Sequence, residues 1–376
     1  MPRASAVPWY VWCSVAAVTS AIIGVHWDIS WHQSIGRDTF WTPAHLAIHF
    51  CGVLAGIACG YLILSTTLAP NSPLRAASVR IWGFRGPLGA FIAAWGGIAM
   101  LTSAPFDNWW HDAYGLDVKI LSPPHMVLAA GMIGVVLGSL TLILSYMNRA
   151  GVEDRGPLLA LFLYVGGMVL IQALLVEMEL TVRVLMHTAS FYRAVATGVP
   201  LVLAFVARAS RYKWATTVIT AIYTVFLLLT GWILPLFPAE PKLGPVYFPV
   251  RQFIPPEFPL LLIVPAILLD LFWQRTEHWG AWKQAAVSGV LFLVSFAAVQ
   301  WPFGSFLNSP AARNAFFGAK YFAYFTNPLS FYARYRFVPT EAPAAFLRET
   351  CLSFAIAIVS FRLGRALGDF LRLVRR

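Results

Sequence analysis

Two polar islands hold the residues whose types and spacing suit chemistry. Residues 26–49, HWDISWHQSIGRDTFWTPAHLAIH, contain four of the chain's eight histidines, two aspartates and one arginine. Residues 107–125, DNWWHDAYGLDVKILSPPH, repeat the layout. Asp28 precedes His32 by four and Asp107 precedes His111 by four; His32 then precedes Asp38 by six, and His111 precedes Asp117 by six. Each island closes on a proline-bearing turn and a histidine, TPAH at 42–45 and SPPH at 122–125. A carboxylate and an imidazole four apart share one helix face, with Cβ atoms about 5–6 Å apart, and can grip one cation. His45 follows Pro43, which suits a helix's first turn, and a twelve-residue connection lets it fold back toward Asp28 and His32. Asp107, His111 and His125 repeat the arrangement with one extra residue before the last histidine. Two histidines and a carboxylate make a three-ligand site with open positions. Ligand chemistry alone admits zinc, iron or copper there.

A single such pair at the end of a membrane span reads as solvated interface residues. The doubled pattern, with Trp31, Trp41, Trp109 and Trp110 around it, argues for more. Ionisable groups beside apolar spans are costly, which favours a metal or proton-handling role. His26, two residues before Asp28, points away from it and reads as an interface histidine, whereas His49 shares a face with His45 and can support it. Arg37 and Asp38 are expected to pair and fix the loop, and Asp112 and Asp117 to act similarly in the second island. Glu177, Glu179, Arg183 and His187 are expected to pair among themselves; a proton route or an extra ligand is the alternative. His278, beside Glu277, reads as solvated.

The elements that must position these groups are membrane helices. Of 376 residues, 59% are hydrophobic and 11% charged, against about a quarter charged in a soluble domain. Apolar runs near the ~20 residues needed to cross a bilayer recur along the chain. The expected fold is all-α: a polytopic helical membrane protein of about ten transmembrane helices, with the lipid bilayer as its first partner. Spans are placed at about 9–27, 43–67, 82–104, 124–146, 157–177, 185–207, 214–236, 257–274, 281–300 and 348–370. The net charge of +11 does not call for nucleic acid. Arg75, Arg80, Arg85, Arg149, Arg155, Arg208, Arg211 and Lys213 fall in alternate loops, as the positive-inside rule requires. Both islands then face the other side, the periplasmic one of a bacterial inner membrane. The first apolar run lacks a small-residue cleavage site and is expected to be a retained span. Cys13, Cys51, Cys59 and Cys351 show no metal or disulfide spacing and read as packing residues.

The islands are 79 residues apart, from Asp28 to Asp107, and two spans intervene, so the repeat is a parallel two-helix one. The expected organisation is a duplicated region at 1–147 followed by further spans at 148–376. An outer-face interfacial loop is expected at 301–347, where aromatic and basic residues mix.

The run WHQSIGRDTFWTPAH resembles the C subunit of the particulate methane and ammonia monooxygenases, the copper-dependent membrane monooxygenases. That family carries Asp-x3-His, four residues, then Arg-Asp-Thr-x-aromatic-Thr-Pro-x-His. Asp28, His32 and the gapless stretch Arg37–His45 match it. The resemblance covers roughly residues 15–145 and implies a first copper site of Asp28, His32 and His45. The family's second site uses an asparagine, a histidine four on and another fourteen further, which fall on Asp107, His111 and His125. The match there is mainly one of spacing, and an aspartate stands where the family has asparagine. The spans after residue 150 have no counterpart in that subunit.

The resemblance implies oxygen-dependent hydroxylation of a small apolar substrate or ammonia at copper, with a quinol donor and sister subunits. Spacing and composition by themselves support only the metal sites, for which zinc and iron stay open beside copper. Two other readings stand beside the enzyme: a metal or proton/solute transporter, and a non-catalytic subunit of a membrane complex.

Overall fold

Prolines decide where several helices begin. Pro43, Pro123 and Pro343 each occupy the first position of a helix, where a missing N–H costs nothing and φ is already helical. The computed structural model describes residues 7–115, 122–334 and 337–376. Its elements are α1 (Trp9–Ser34), α2 (Pro43–Leu68), the short hairpin β1 (Val79–Ile81) and β2 (Phe84–Gly86), α3 (Leu88–Tyr114), α4 (Pro123–Met147), α5 (Arg155–Val176), α6 (Ala189–Ser210), α7 (Ala215–Ile233), α8 (Ile263–Arg275), α9 (Ala281–Leu307), α10 (Phe331–Arg334) and α11 (Pro343–Leu371). The fold is an all-α bundle. Among the described residues, nine helices are long and apolar enough to cross a membrane.

The stretch expected as a span at 257–274 is the departure. Its helical part, α8, has 13 residues, about 20 Å at 1.5 Å per residue, short of the ~30 Å hydrocarbon core. Pro255, Pro256 and Pro259 hold the preceding residues, 253–261, out of regular structure, because proline removes donors and biases the residue before it away from the helical region.

The chain folds as two compact units. The first comprises Met1–Val25, Thr39–Val169 and Phe370–Arg376; the second comprises His26–Asp38 and Leu170–Asp369. The first unit therefore runs past residue 147 into α5, and the whole of the first island's α1 portion goes with the second.

In the first unit, α3 and α4 pack along glycines seven apart. A Cβ on Gly96 would lie 2.6 Å from the Gly131 carbonyl oxygen, and one on Gly89 would lie 2.5 Å from that of Gly138. Lipid gives apolar helices no hydrophobic reason to associate, so small residues that let backbones approach supply the contact. Nearby, the buried hydroxyls of Ser14 and Ser139 lie 2.5 Å apart, and Tyr10 and Tyr146 share a hydrogen bond of 2.6 Å.

In the second unit, side chains from the helices satisfy the irregular backbone at 253–261. Ser34 Oγ accepts from the Ile254 N–H (2.7 Å) and Ser30 Oγ donates to the Ile254 carbonyl. Tyr223 Oη accepts from Leu260 N–H (3.0 Å), and Gln300 Oε1 from Leu261 N–H (2.9 Å). Non-helical backbone is tolerated in a membrane protein when protein groups meet its polar atoms in this way. Asp270 of α8 caps α7, accepting from Thr217 N–H and Thr217 Oγ1 at 2.8 Å each.

Candidate metal centres

α1 ends at Ser34, and its last turn closes through two N–H groups, of Ile35 and Gly36, that both donate to the Trp31 carbonyl. Gly36 sits at φ +86°, a conformation open to glycine and strained for other residues. The turn brings the Gly36 carbonyl to 3.3 Å from His32 Nδ1, and an imidazole with Nδ1–H directed at a carbonyl presents Nε2 as the ligand atom. His32 Nε2 lies 3.3 Å from Asp38 Oδ2 and 3.8 Å from Asp28 Oδ2. Trp31 Nε1 donates to the Arg37 carbonyl at 3.0 Å, which pins the loop that carries Asp38.

One ligand atom from each of Asp28, His32 and Asp38 lies within 4.8 Å of the others. Four-coordinate ions with bonds near 2.0–2.1 Å hold adjacent ligand atoms about 3.3 Å apart, the spacing seen between His32 and Asp38. Asp38, read from the sequence as the partner of Arg37, stands here beside the imidazole. His45, expected as the third ligand, belongs to the first unit, where its Nδ1 lies 3.0 Å from the Thr39 carbonyl oxygen.

The second island builds the same device on α3. Gly115 has φ +86°, its carbonyl lies 3.2 Å from His111 Nδ1, and His111 Nε2 lies 3.4 Å from Asp107 Oδ2. His125, in the first turn of α4, brings Nε2 to 3.6 Å from Asp107 Oδ1, a buried oxygen that accepts no hydrogen bond. Asp107 is thus bracketed by two imidazoles, one per carboxylate oxygen. His49 stacks on Phe40 with ring centroids 5.4 Å apart, and its buried Nδ1 makes no hydrogen bond. Asp112 accepts from Asn108 Nδ2 at 3.3 Å, while Asp117 lies outside the described residues.

The glycines were the missed signal. Gly36 and Gly115 keep the 79-residue offset of the islands, so the repeated unit is Asp-x3-His-x3-Gly, with the glycine carbonyl orienting the histidine.

The remaining candidates have their own surroundings. His26 is buried, edge-on to Phe226 at 5.1 Å. His187 Nε2 lies 2.9 Å from the Trp301 carbonyl oxygen and 3.1 Å from Ser305 Oγ, and burial lowers its pKa. Glu177, just beyond α5, has a buried Oε2 without a hydrogen bond, and burial pushes its pKa up to about 7. His278 and Glu277 are exposed.

No protein-family model matches the chain, and neither a curated protein nor a solved structure matches it.

Proposed function

We propose that this chain is a multi-pass membrane metalloprotein, and that it takes part in copper-dependent oxidation of a small substrate. The observation that carries the metal assignment is the convergence of Asp28, His32 and Asp38, with ligand atoms within 4.8 Å of one another. One imidazole and two carboxylates suit a divalent ion, and Cu(II), Zn(II) and Fe(II) all accept that set. The resemblance of the Arg37–His45 run to the copper monooxygenase subunit supports copper among these, and with it oxygen-dependent hydroxylation of a small apolar molecule or ammonia. Copper, when bound, would supply the one-electron and oxygen chemistry. The chain's own residues would bind and orient the ion. Asp28 and Asp38 offer charge, His32 offers Nε2, and the Gly36 carbonyl holds the ring by Nδ1. Asp107, His111 and His125 form the second proposed ligand set. The alternating basic loops support a location in the cell inner membrane, with the islands toward the periplasm.

Metal analysis of the purified chain, loaded with Cu(II) and desalted, tests this reading. His32→Ala is expected to lower bound copper by about one equivalent, since a three-residue set loses its only imidazole. Unchanged copper content would sink the assignment.

Transport of a metal or solute is the second reading, and one observation favours it. The stretch at 257–274 is part irregular and part helix, with Glu257 in the shorter, irregular part, as in the broken helices of transporters. Substrate-dependent oxygen consumption that disappears in His32→Ala supports the oxidase. Metal flux into sealed vesicles without turnover supports transport.

A further inference from the structure

The second unit holds a half-open cavity of about 560 Å³, within the ~300–1,000 Å³ range of small-molecule sites. One wall is a stripe of α1: His26, Ile29, Ser30 and Gln33. These positions recur at helical spacing and lie beside, not on, the Asp28–His32 face. A second wall is the irregular segment from Ile254 to Phe258, and a third is a set of rings, Phe317, Tyr321, Phe322 and Phe325.

The charge in this mostly apolar space is asymmetric. Three charged side chains line it: Glu179, Arg183 and Glu257. Both carboxylate residues are exposed. The guanidinium residue is withdrawn, with Arg183 only 8% accessible. Glu257 is fixed by the Arg183 backbone, whose N–H donates to Oε2 at 2.8 Å. The cavity therefore offers an entering molecule negative charge and aromatic faces. Aromatic faces attract cations as well.

We propose that this cavity binds an organic amine, its ammonium head against Glu257 and Glu179 and its apolar body among the rings of Phe317, Tyr321 and Phe322. Two carboxylates outnumber the single guanidinium on this lining, and a bound ammonium would balance that excess charge. An acidic amphiphile would need Arg183 instead, and that group is the least accessible of the three. The proposal is independent of metal at Asp28, His32 and Asp38, because it uses other residues.

The test uses the full chain in an uncharged maltoside detergent. Binding of 4-phenylbutylammonium is measured by titration calorimetry beside 4-phenylbutanol and 4-phenylbutyrate, which share its body and differ in the head. The ammonium is expected to bind about tenfold more tightly than the alcohol, as a charge-assisted contact allows. Glu257→Gln should abolish that preference, and Glu257→Asp should retain part of it. If Glu257→Gln fails to fold, Glu179→Gln on the exposed carboxylate decides, with a reduced preference expected. Equal binding of the three probes, preference for the carboxylate, or an ammonium preference unchanged in the variants that fold would overturn the proposal.

Discussion

An imidazole serves a metal reliably when its second nitrogen is held, and here a glycine carbonyl does the holding in both islands. Gly36→Ala places a Cβ 2.2 Å from the Tyr324 hydroxyl oxygen at φ +86°. Gly115→Ala meets no atom within 4 Å at the same φ. The strained backbone alone costs about 1–3 kcal/mol, so both variants should unfold at lower temperature, Gly36→Ala by the larger margin. Thermal unfolding with intrinsic tryptophan fluorescence measures this; equal losses would mean that the Tyr324 contact has no weight. Glu177 gives a pH signature at the same scale. Its folded pKa is raised to about 7 by burial, above its ordinary carboxyl value near 4.3. The folded state then binds the proton more tightly, so Glu177's contribution is fully present below the ordinary value and is lost as pH rises through 7. Glu177→Gln should flatten the decline in melting temperature between roughly pH 5 and 8; an unchanged slope would count against the burial account. The Asp–His spacing was legible from the sequence because four residues on a helix fix a face. The place of Asp38 was not, since it lies beyond a left-handed glycine that redirects the chain.

At the scale of elements, glycine spacing makes α3 and α4 a close pair. Gly96→Leu forces a side chain into the Gly131 carbonyl and the Val135 backbone nitrogen, each 2.6 Å from the Cβ position. Overpacking costs about 1–3 kcal/mol even where side chains can yield, and backbone cannot yield as they do. The variant should lose at least that much in detergent unfolding, whereas Gly56→Leu, with nothing within 4 Å, should be close to neutral. The helices themselves were legible, since unbroken apolar runs near the bilayer length admit few alternatives. The 257–274 stretch was misread for a physical reason. Hydropathy registers its apolar residues, but not that three prolines withdraw donors and leave backbone groups for Ser34, Tyr223 and Gln300 to satisfy.

For the whole molecule, the two clusters belong to different compact units: Asp28, His32 and Asp38 to the second, Asp107, His111 and His125 to the first. Under the proposed function, each cluster fills on its own. Loaded protein should carry about two ions per chain on the ligand count of the two sets, and His111→Ala should lose one while the α1 cluster keeps its own. Loss of both ions in that variant would show that the clusters depend on each other. The duplication was legible from residue spacing, but the division of the first island was not, because it depends on contacts with residues more than two hundred positions away. Those contacts also set an order of events during synthesis. The hydroxyls of Ser30 and Ser34 meet their backbone partner at Ile254 across separations of 224 and 220 residues. At about 5–20 residues per second, α1 waits roughly 10–45 s for the irregular segment it must hold. Until then that end of α1 needs another companion, water or the insertion machinery, and the ribosome's pace becomes part of how the second unit closes.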